Sequence, residues 1–381
     1  MYCDYFSSQK CLSCNWLNKP YSQQLMDKQQ TFSQLLQPFQ PIAILPPIAS
    51  HEVDFRNKAK MAVLGTVEKP ILGILNHNQQ PIDLSHCPLY PTQLQQALTK
   101  LKHFISSIGL VPYNIKKRRG ELKFIILTLH DNQLMLRFVL RSKAMIDRLR
   151  VSLNKLYASL PNLAIISVNI QPLHAAILEG EEEIVLSDND VLAVNLNHVP
   201  LFIRPQSFFQ TNTEIARQLY QTATDWVNQL TKNKQKAINH IWDLFCGVGG
   251  FGLHCTNHSI RLTGIEINEQ AIACAKQSAD LMQLPKPDFR AYDSTQFALA
   301  QADIPDLVLV NPPRRGLGKC LANYLHTLKP HYILYSSCNL STQLSDLALL
   351  PNYQIVKAQL FDMFPHTAHM ETMLLLQHIE N

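Results

Sequence analysis

Apolar residues recur at helical spacing early in the chain, where Leu25, Phe32, Leu35 and Leu36 stand among glutamines. Tyr21 to Leu36 therefore predicts an amphipathic helix, stopped by Pro38. After a proline-rich passage (Pro38, Pro41, Pro46, Pro47) the pattern turns to strands. Arg56 to Lys69 and Ile71 to Leu75 predict two strands, closed by Asn76-His77-Asn78, and Thr92 to Phe104 predicts a helix. Leu122 to Leu129 and Leu134 to Leu140 form a predicted hairpin turned by Asp131-Asn132. A helix over Ala144 to Ala158, a strand over Ala164 to Gln171, and a strand pair within Glu181 to Val194 around Asp188-Asn189 complete this region.

Strands and helices then succeed one another. A helix is predicted over Thr213 to Leu230, then a short apolar strand at Ile241. The strand Leu262 to Glu266, the helix Asn268 to Met282 and the strand Asp288 to Tyr292 follow. Asp306-Leu-Val-Leu-Val and His331-Tyr-Ile-Leu-Tyr-Ser-Ser are nearly all apolar, as buried parallel strands are. Met373 to Leu376 is the last strand. The expected organisation is an N-terminal segment over 1–45, a central β-rich domain over 46–200 and an α/β domain over 201–381. There is no internal repeat and no low-complexity tract.

The chain's 381 residues are 46% hydrophobic and 17% charged, which describes a folded protein with more than one core. Its net charge of +5 permits a nucleic-acid partner without requiring one. No apolar run reaches the roughly 18 residues of a bilayer span, and Met-Tyr-Cys-Asp-Tyr does not read as a signal peptide. A cytoplasmic protein is expected, with its nine cysteines mostly reduced.

Candidate chemistry centres on Ile241-Trp-Asp-Leu-Phe-Cys-Gly-Val-Gly-Gly-Phe-Gly. A strand carrying Asp243 opens into a glycine-rich turn, and Glu266 ends the next strand. An acid about 20 residues past such a turn is placed to bond ribose hydroxyls, so a nucleoside-bearing cofactor is expected. Gly247, Gly249 and Gly252 also satisfy G-x-G-x-x-G, which leaves a dinucleotide open. Asp243 favours a methionine ammonium group over a pyrophosphate, and Asp-x-Phe-x-Gly-x-Gly resembles the first motif of Rossmann-like S-adenosylmethionine methyltransferases. Asp293 is a candidate for the adenine amino group. Asn311, ending a buried strand, should point into the site, and Gln210, beside two aromatics, is a candidate pocket residue.

Cys338 ends another buried strand, on the edge shared with Asn311. Methylation at carbon 5 of a pyrimidine needs both a thiolate and a methyl donor: the thiolate adds at carbon 6, carbon 5 takes the methyl, and a base removes the carbon-5 proton. Glu371, in a His-Met-Glu turn opening the last strand, is the candidate base. At the N-terminus, Cys3-x7-Cys11-x2-Cys14 offers three thiolates and Cys87 a fourth, suited to zinc or an iron–sulfur cluster. Four cations, Lys116, Lys117, Arg118 and Arg119, follow Tyr113 in a predicted loop and suit phosphate contacts.

Asp-Leu-Phe-Cys-Gly-Val-Gly-Gly, Asn-Pro-Pro-Arg-Arg-Gly, Ser-Ser-Cys-Asn and Phe-Pro-His-Thr-x-His-x-Glu together resemble the RNA 5-methyluridine methyltransferases, over nearly the whole chain. The N-terminal cysteines, with no appended RNA-binding barrel before them, are similar to the ribosomal RNA members. The resemblance implies a Rossmann-like methyltransferase domain, a central RNA-facing domain and an N-terminal iron–sulfur segment. It implies a [4Fe–4S] cluster on Cys3, Cys11, Cys14 and Cys87, cofactor contacts from Gln210, Phe245, Glu266 and Asn311, Cys338 as nucleophile and Glu371 as base. Its implied partner is 23S ribosomal RNA, free or partly assembled, at uracil 747, and its implied state a monomer. Relatives acting on transfer RNA have aspartate where this chain has Asn311. The rival readings are a transfer-RNA 5-methyluridine enzyme, an adenine or guanine amino-group methyltransferase, an NAD(P) dehydrogenase, and a non-catalytic cluster-bearing RNA-binding protein.

Overall fold

The computed structural model describes residues 1–175, 177–232, 237–285, 287–301 and 303–379, which divide into two units. The first holds Met1–Cys14, His51–Leu192 and Arg204–Gln206. Its strands are β1 (Lys58–Gly65), β2 (Pro70–Leu75), β3 (Pro81–Asp83), β4 (Leu122–His130), β5 (Gln133–Leu140), β6 (Leu163–Ile170) and β7 (Glu182–Val185), in one sheet ordered β3-β2-β1-β4-β5-β6-β7. Every pairing is antiparallel except β5 with β6. A parallel pair needs a crossover, and helical segments between β5 and β6 supply it. The helix Thr92–Ser107 buries Leu94, Leu98, Leu101 and Ile105 in a core shared with Met61, Ile125, Leu136 and Phe138.

Two expectations change here. The helix expected over Ala144 to Ala158 is three pieces, a 3-10 turn (Lys143–Met145) and the helices Ile146–Val151 and Leu153–Ser159, with Ser152 at the break. The expected strand pair around Asp188-Asn189 is not a hairpin. β7 joins the large sheet beside β6, while β8 (Leu192–Leu196) pairs with β9 (Val199–Ile203). The turn between β8 and β9 is Asn197-His198, both at positive φ, the backbone that tight hairpins require.

The second unit holds Asn15–Ser50, Ala193–Ile203 and the chain from Ser207 onward. The helix Tyr21–Leu36 therefore groups with the α/β region and not with the N-terminal cysteines. Its buried stripe is Gln24, Lys28, Phe32 and Leu36, while Leu35 is exposed. The strands are β10 (His240–Leu244), β11 (Arg261–Glu266), β12 (Asp288–Ala291), β13 (Leu307–Val310), β14 (Tyr332–Ser337), β15 (Tyr353–Phe361) and β16 (Glu371–His378). They are ordered β12-β11-β10-β13-β14-β16-β15, and β16 runs antiparallel to both neighbours. The proline-rich passage is not a free linker. Ile44 and Ile48 bridge Ala358 and Phe361, extending the sheet beyond β15.

This topology fixes where chemistry can occur. Strand order reverses between β10 and β13, and ligands of open α/β sheets bind outside the carboxyl ends of the strands at such a point. Because β16 is antiparallel, its first residue, Glu371, lies at that same edge. Among the described residues, no helix is long and apolar enough to cross a membrane.

Candidate active site

The turn after β10 is built to hold carboxylates. Phe245 sits at φ +65°, its N–H donating to Ser294 Oγ at 3.2 Å. Gly247 N–H donates to Glu266 Oε2 at 3.3 Å, and Asn268 N–H donates to Glu266 Oε1 at 3.0 Å. Gly252 N–H donates to Asp243 Oδ2 at 2.7 Å. Gly249, at φ +87°, opens the helix Gly250–Cys255, and a Cβ on Gly250 would lie 2.6 Å from Tyr220 Oη.

A cavity of about 670 Å³, within the range of small-ligand sites, opens over this turn. Gln210, Phe245, Gly247, Glu266, Asp293 and Asn311 line it, as do Cys338 and Glu371. Asp243 and Gly249 do not. Asp243 is 1% exposed, and burial, reinforced by Glu266 and opposed by the Gly252 N–H, pushes its carboxyl up to about 7. Its place is beneath the turn, tying the strand to the helix, rather than opposite a ligand's ammonium group. Gly249 contributes backbone conformation. Asp293 caps the helix Ser294–Leu299 through a 2.9 Å bond from Gln296 N–H and still faces the cavity.

These bonds bear on which cofactor fits. Gly247 and Gly252 N–H groups, two donors that a pyrophosphate would use, already serve carboxylates. An added polyanion would face Glu266 across the turn, whereas a nucleoside bearing a sulfonium cation would find a fixed acid for its ribose and a favourable field. The residues fit S-adenosylmethionine.

Cys338 follows β14 directly. Ser337 pairs with Thr372 in the β14–β16 register, so one further step sets Cys338 opposite Glu371. Ser336 Oγ donates to Glu371 Oε1 at 2.7 Å. Glu371 is 2% exposed, and burial pushes its carboxyl up to about 7 against the pull of that bond. Burial raises the half-buried Cys338 thiol and the Glu371 charge adds to it, while a hydrogen bond and the positive charge of Arg314 act the other way. Arg314 is held by its carbonyl, which accepts from Asn339 Nδ2 at 2.9 Å and Thr342 Oγ1 at 3.1 Å. A little further along, Leu317 N–H and Tyr335 Oη both donate to Asp346 Oδ2, fixing the loop after Asn311-Pro-Pro.

Sequence reasoning missed Ser336, Tyr220 and Phe364, all at or beside the cavity. Ser336 was findable, because residues two apart on a strand share a face and Cys338 was already a candidate. Phe364 opens the Phe-Pro-His-Thr-x-His-x-Glu motif, which was the signal for it, whereas Tyr220 carries none.

In the first unit, Cys3, Cys11, Cys14 and Cys87 are free thiols within electrostatic reach of one another. Burial pushes Cys14 up to about 12 and Cys87 up to about 11, and the other thiols add to both shifts. Arg56 bonds through its backbone N–H to Leu89 O, two residues past Cys87, and its buried Nε has no partner. Among the described residues, no group of three or more His, Cys, Asp or Glu side chains forms a single-ion shell. An all-thiol donor set near a cation whose buried Nε is unpartnered has the donor chemistry of a thiolate-held metal or iron–sulfur group.

The family model described as tRNA (uracil-5-)-methyltransferase matches residues 20–379. The 23S rRNA (uracil(747)-C(5))-methyltransferase RlmC of Pectobacterium atrosepticum is 54% identical over 99% of this chain and 100% of its own length. That of Yersinia enterocolitica is 53% identical over 99% of both chains. Among solved structures, the Pyrococcus abyssi tRNA (uracil-54, C5)-methyltransferase in complex with S-adenosyl-L-homocysteine superposes with a TM-score of 0.78. It is 25% identical, over 96% of this chain and 86% of that one.

Proposed function

This chain belongs to the tRNA (uracil-5-)-methyltransferase family, and from that premise we propose that it methylates carbon 5 of uracil 747 in 23S ribosomal RNA. The substrate rests on the full-length relatives at 53–54% identity that bear that activity in their names. S-adenosylmethionine supplies an electrophilic methyl group when bound. Gln210, Phe245, Glu266, Asp293 and Asn311 contact it or the uracil, with Glu266 taking the ribose hydroxyls.

The observation that carries the mechanism is a cysteine and a buried glutamate facing each other across the β14–β16 register at the cavity edge. Cys338, as thiolate, attacks carbon 6 of the uracil, and carbon 5 becomes nucleophilic. Arg314 stabilises the thiolate. After methyl transfer Glu371 takes the carbon-5 proton, the C5–C6 double bond re-forms and the C6–S bond breaks, returning the thiolate. A pKa near 7 suits a base working near neutral pH. An amino-group methyltransferase would need neither residue.

The β-rich unit, with its exposed cations Lys116, Lys117, Arg118 and Arg119, holds the RNA, and the target uracil leaves its stack to reach the cavity. Cys3, Cys11, Cys14 and Cys87 hold a [4Fe–4S] cluster that braces the N-terminal segment, since the reaction transfers no net electrons. Purification under nitrogen should yield one cluster's complement of iron and acid-labile sulfide per chain, lost in Cys14→Ser. Zinc, or no metal, would refute that part.

The activity itself is tested by labelled-methyl transfer to 23S ribosomal RNA, its U747C version and unmodified transfer RNA. Transfer is expected only to the first. Equal transfer to U747C would remove the site assignment, and preference for transfer RNA would replace the substrate.

A further inference from the structure

Lys28 is fully buried and so is Asp362, and their Nζ and Oδ1 atoms lie 2.6 Å apart. Moving two charges out of water is costly, and a matched apolar pair often serves stability as well or better. The pair therefore calls for a reason, and its surroundings offer one. Lys28 Nζ also donates to the carbonyl of Phe364 at 3.0 Å, and Tyr21 Oη donates to Asp362 Oδ2 at 2.7 Å. One turn before Lys28, Gln24 Oε1 accepts from His366 N–H at 2.9 Å, while Trp16 N–H donates to the His366 carbonyl at 3.0 Å.

All these contacts converge on residues 362–366. That segment begins the connection from β15 to β16, and Phe361 pairs with Glu371 in the register. It carries Phe364 into the cavity wall and leads to Glu371. His366 sits at φ +65°, a left-handed backbone that is uncommon for residues with a β-carbon and that histidine adopts more readily than most.

We propose that Lys28, with Gln24, is a positioning residue: from the helix Tyr21–Leu36 it clamps the β15–β16 connection so that Phe364 and Glu371 meet the target base. This rests on the reading of Glu371 as the base. The clamp touches no reacting atom. It serves proton removal and release, because Cys338 and Arg314 sit on other elements whose loops are fixed by Asn339, Thr342 and Asp346.

The test uses the full chain, ordinary uridine-containing 23S ribosomal RNA and S-adenosylmethionine, followed on denaturing gels. Glu371→Gln is the reference: with the carbon-5 proton left in place, a methylated protein–RNA adduct should persist. Lys28→Met/Asp362→Leu removes both charges together, leaving no unpaired buried charge, although Tyr21 Oη and the Phe364 carbonyl each lose one hydrogen bond, and the folded variant's melting temperature is measured alongside. This variant should form adduct at the wild-type rate yet resolve it about tenfold more slowly or worse. Should it not fold, the near-isosteric Asp362→Asn is read in the same way. Wild-type resolution in the folded variant, with Glu371→Gln stalled, overturns the clamp and leaves the base assignment standing. Wild-type resolution in Glu371→Gln removes the base assignment and the clamp with it.

Discussion

Ser336 Oγ donates a 2.7 Å hydrogen bond to Glu371 Oε1, two residues before the cysteine that the same glutamate faces. Burial favours the neutral acid and this bond favours the carboxylate. The balance, near 7, leaves a large share of Glu371 ionised at neutral pH without costing it basicity.

The pH dependence follows with a definite sign. Proton removal needs the carboxylate, so the release step should rise with pH through about 7 and level off above it. Ser336→Ala takes away a bond that favours the charged form, and the rising limb should move upward by about one pH unit. Tritium release from [5-³H]uridine-labelled RNA reads this step. A limb unmoved in Ser336→Ala would mean another group sets it.

Arg314 acts on the other partner. Its hydrogen bond and charge oppose the burial and the Glu371 charge that raise the Cys338 thiol. Arg314→Gln should therefore slow alkylation of Cys338 at neutral pH by about tenfold and shift its pH profile upward. S-adenosylmethionine affinity should change little. An unaltered alkylation profile would assign Arg314 to RNA alone.

Much of this site was legible because methyltransferase chemistry lies at strand ends. The buried runs before Asn311 and Cys338, and the acid ending the strand at Glu266, fix those residues at one edge whatever the loops do. Asp243 was placed in the right turn but on the wrong side of it, because a strand-end acid can face the ligand or bind the helix behind. The Gly252 N–H bond decides that, and sequence carries no record of it. The Lys28 pair was invisible for a related reason. A lysine in a helix rich in glutamine reads as solvated, and its partner lies 334 residues away.

The basic tip was expected as a loop and is a small folded turn. Asn114 N–H bonds Arg119 O at 2.7 Å, and Lys117 N–H bonds Asn114 Oδ1 at 2.9 Å. Among the described residues, Lys116, Lys117, Arg118 and Arg119 are exposed and make no ion pair. Replacing all four by glutamine should weaken RNA binding and flatten its log–log salt dependence by about 0.7–0.9 for every phosphate that the tip neutralises. Cofactor binding should be unaffected. An unchanged salt slope would exclude the tip from the RNA interface.

The covalent route through Cys338 is the centre of the account, and one trapping measurement addresses it most directly. The protein is incubated with S-adenosylmethionine and 5-fluorouridine-substituted 23S ribosomal RNA, then denatured and resolved on a gel. Fluorine cannot leave as a proton does, so the enzyme should stall as a protein–RNA adduct that Cys338→Ala abolishes. Methyl transfer to ordinary RNA without any adduct, or an adduct that survives in Cys338→Ala, would contradict it.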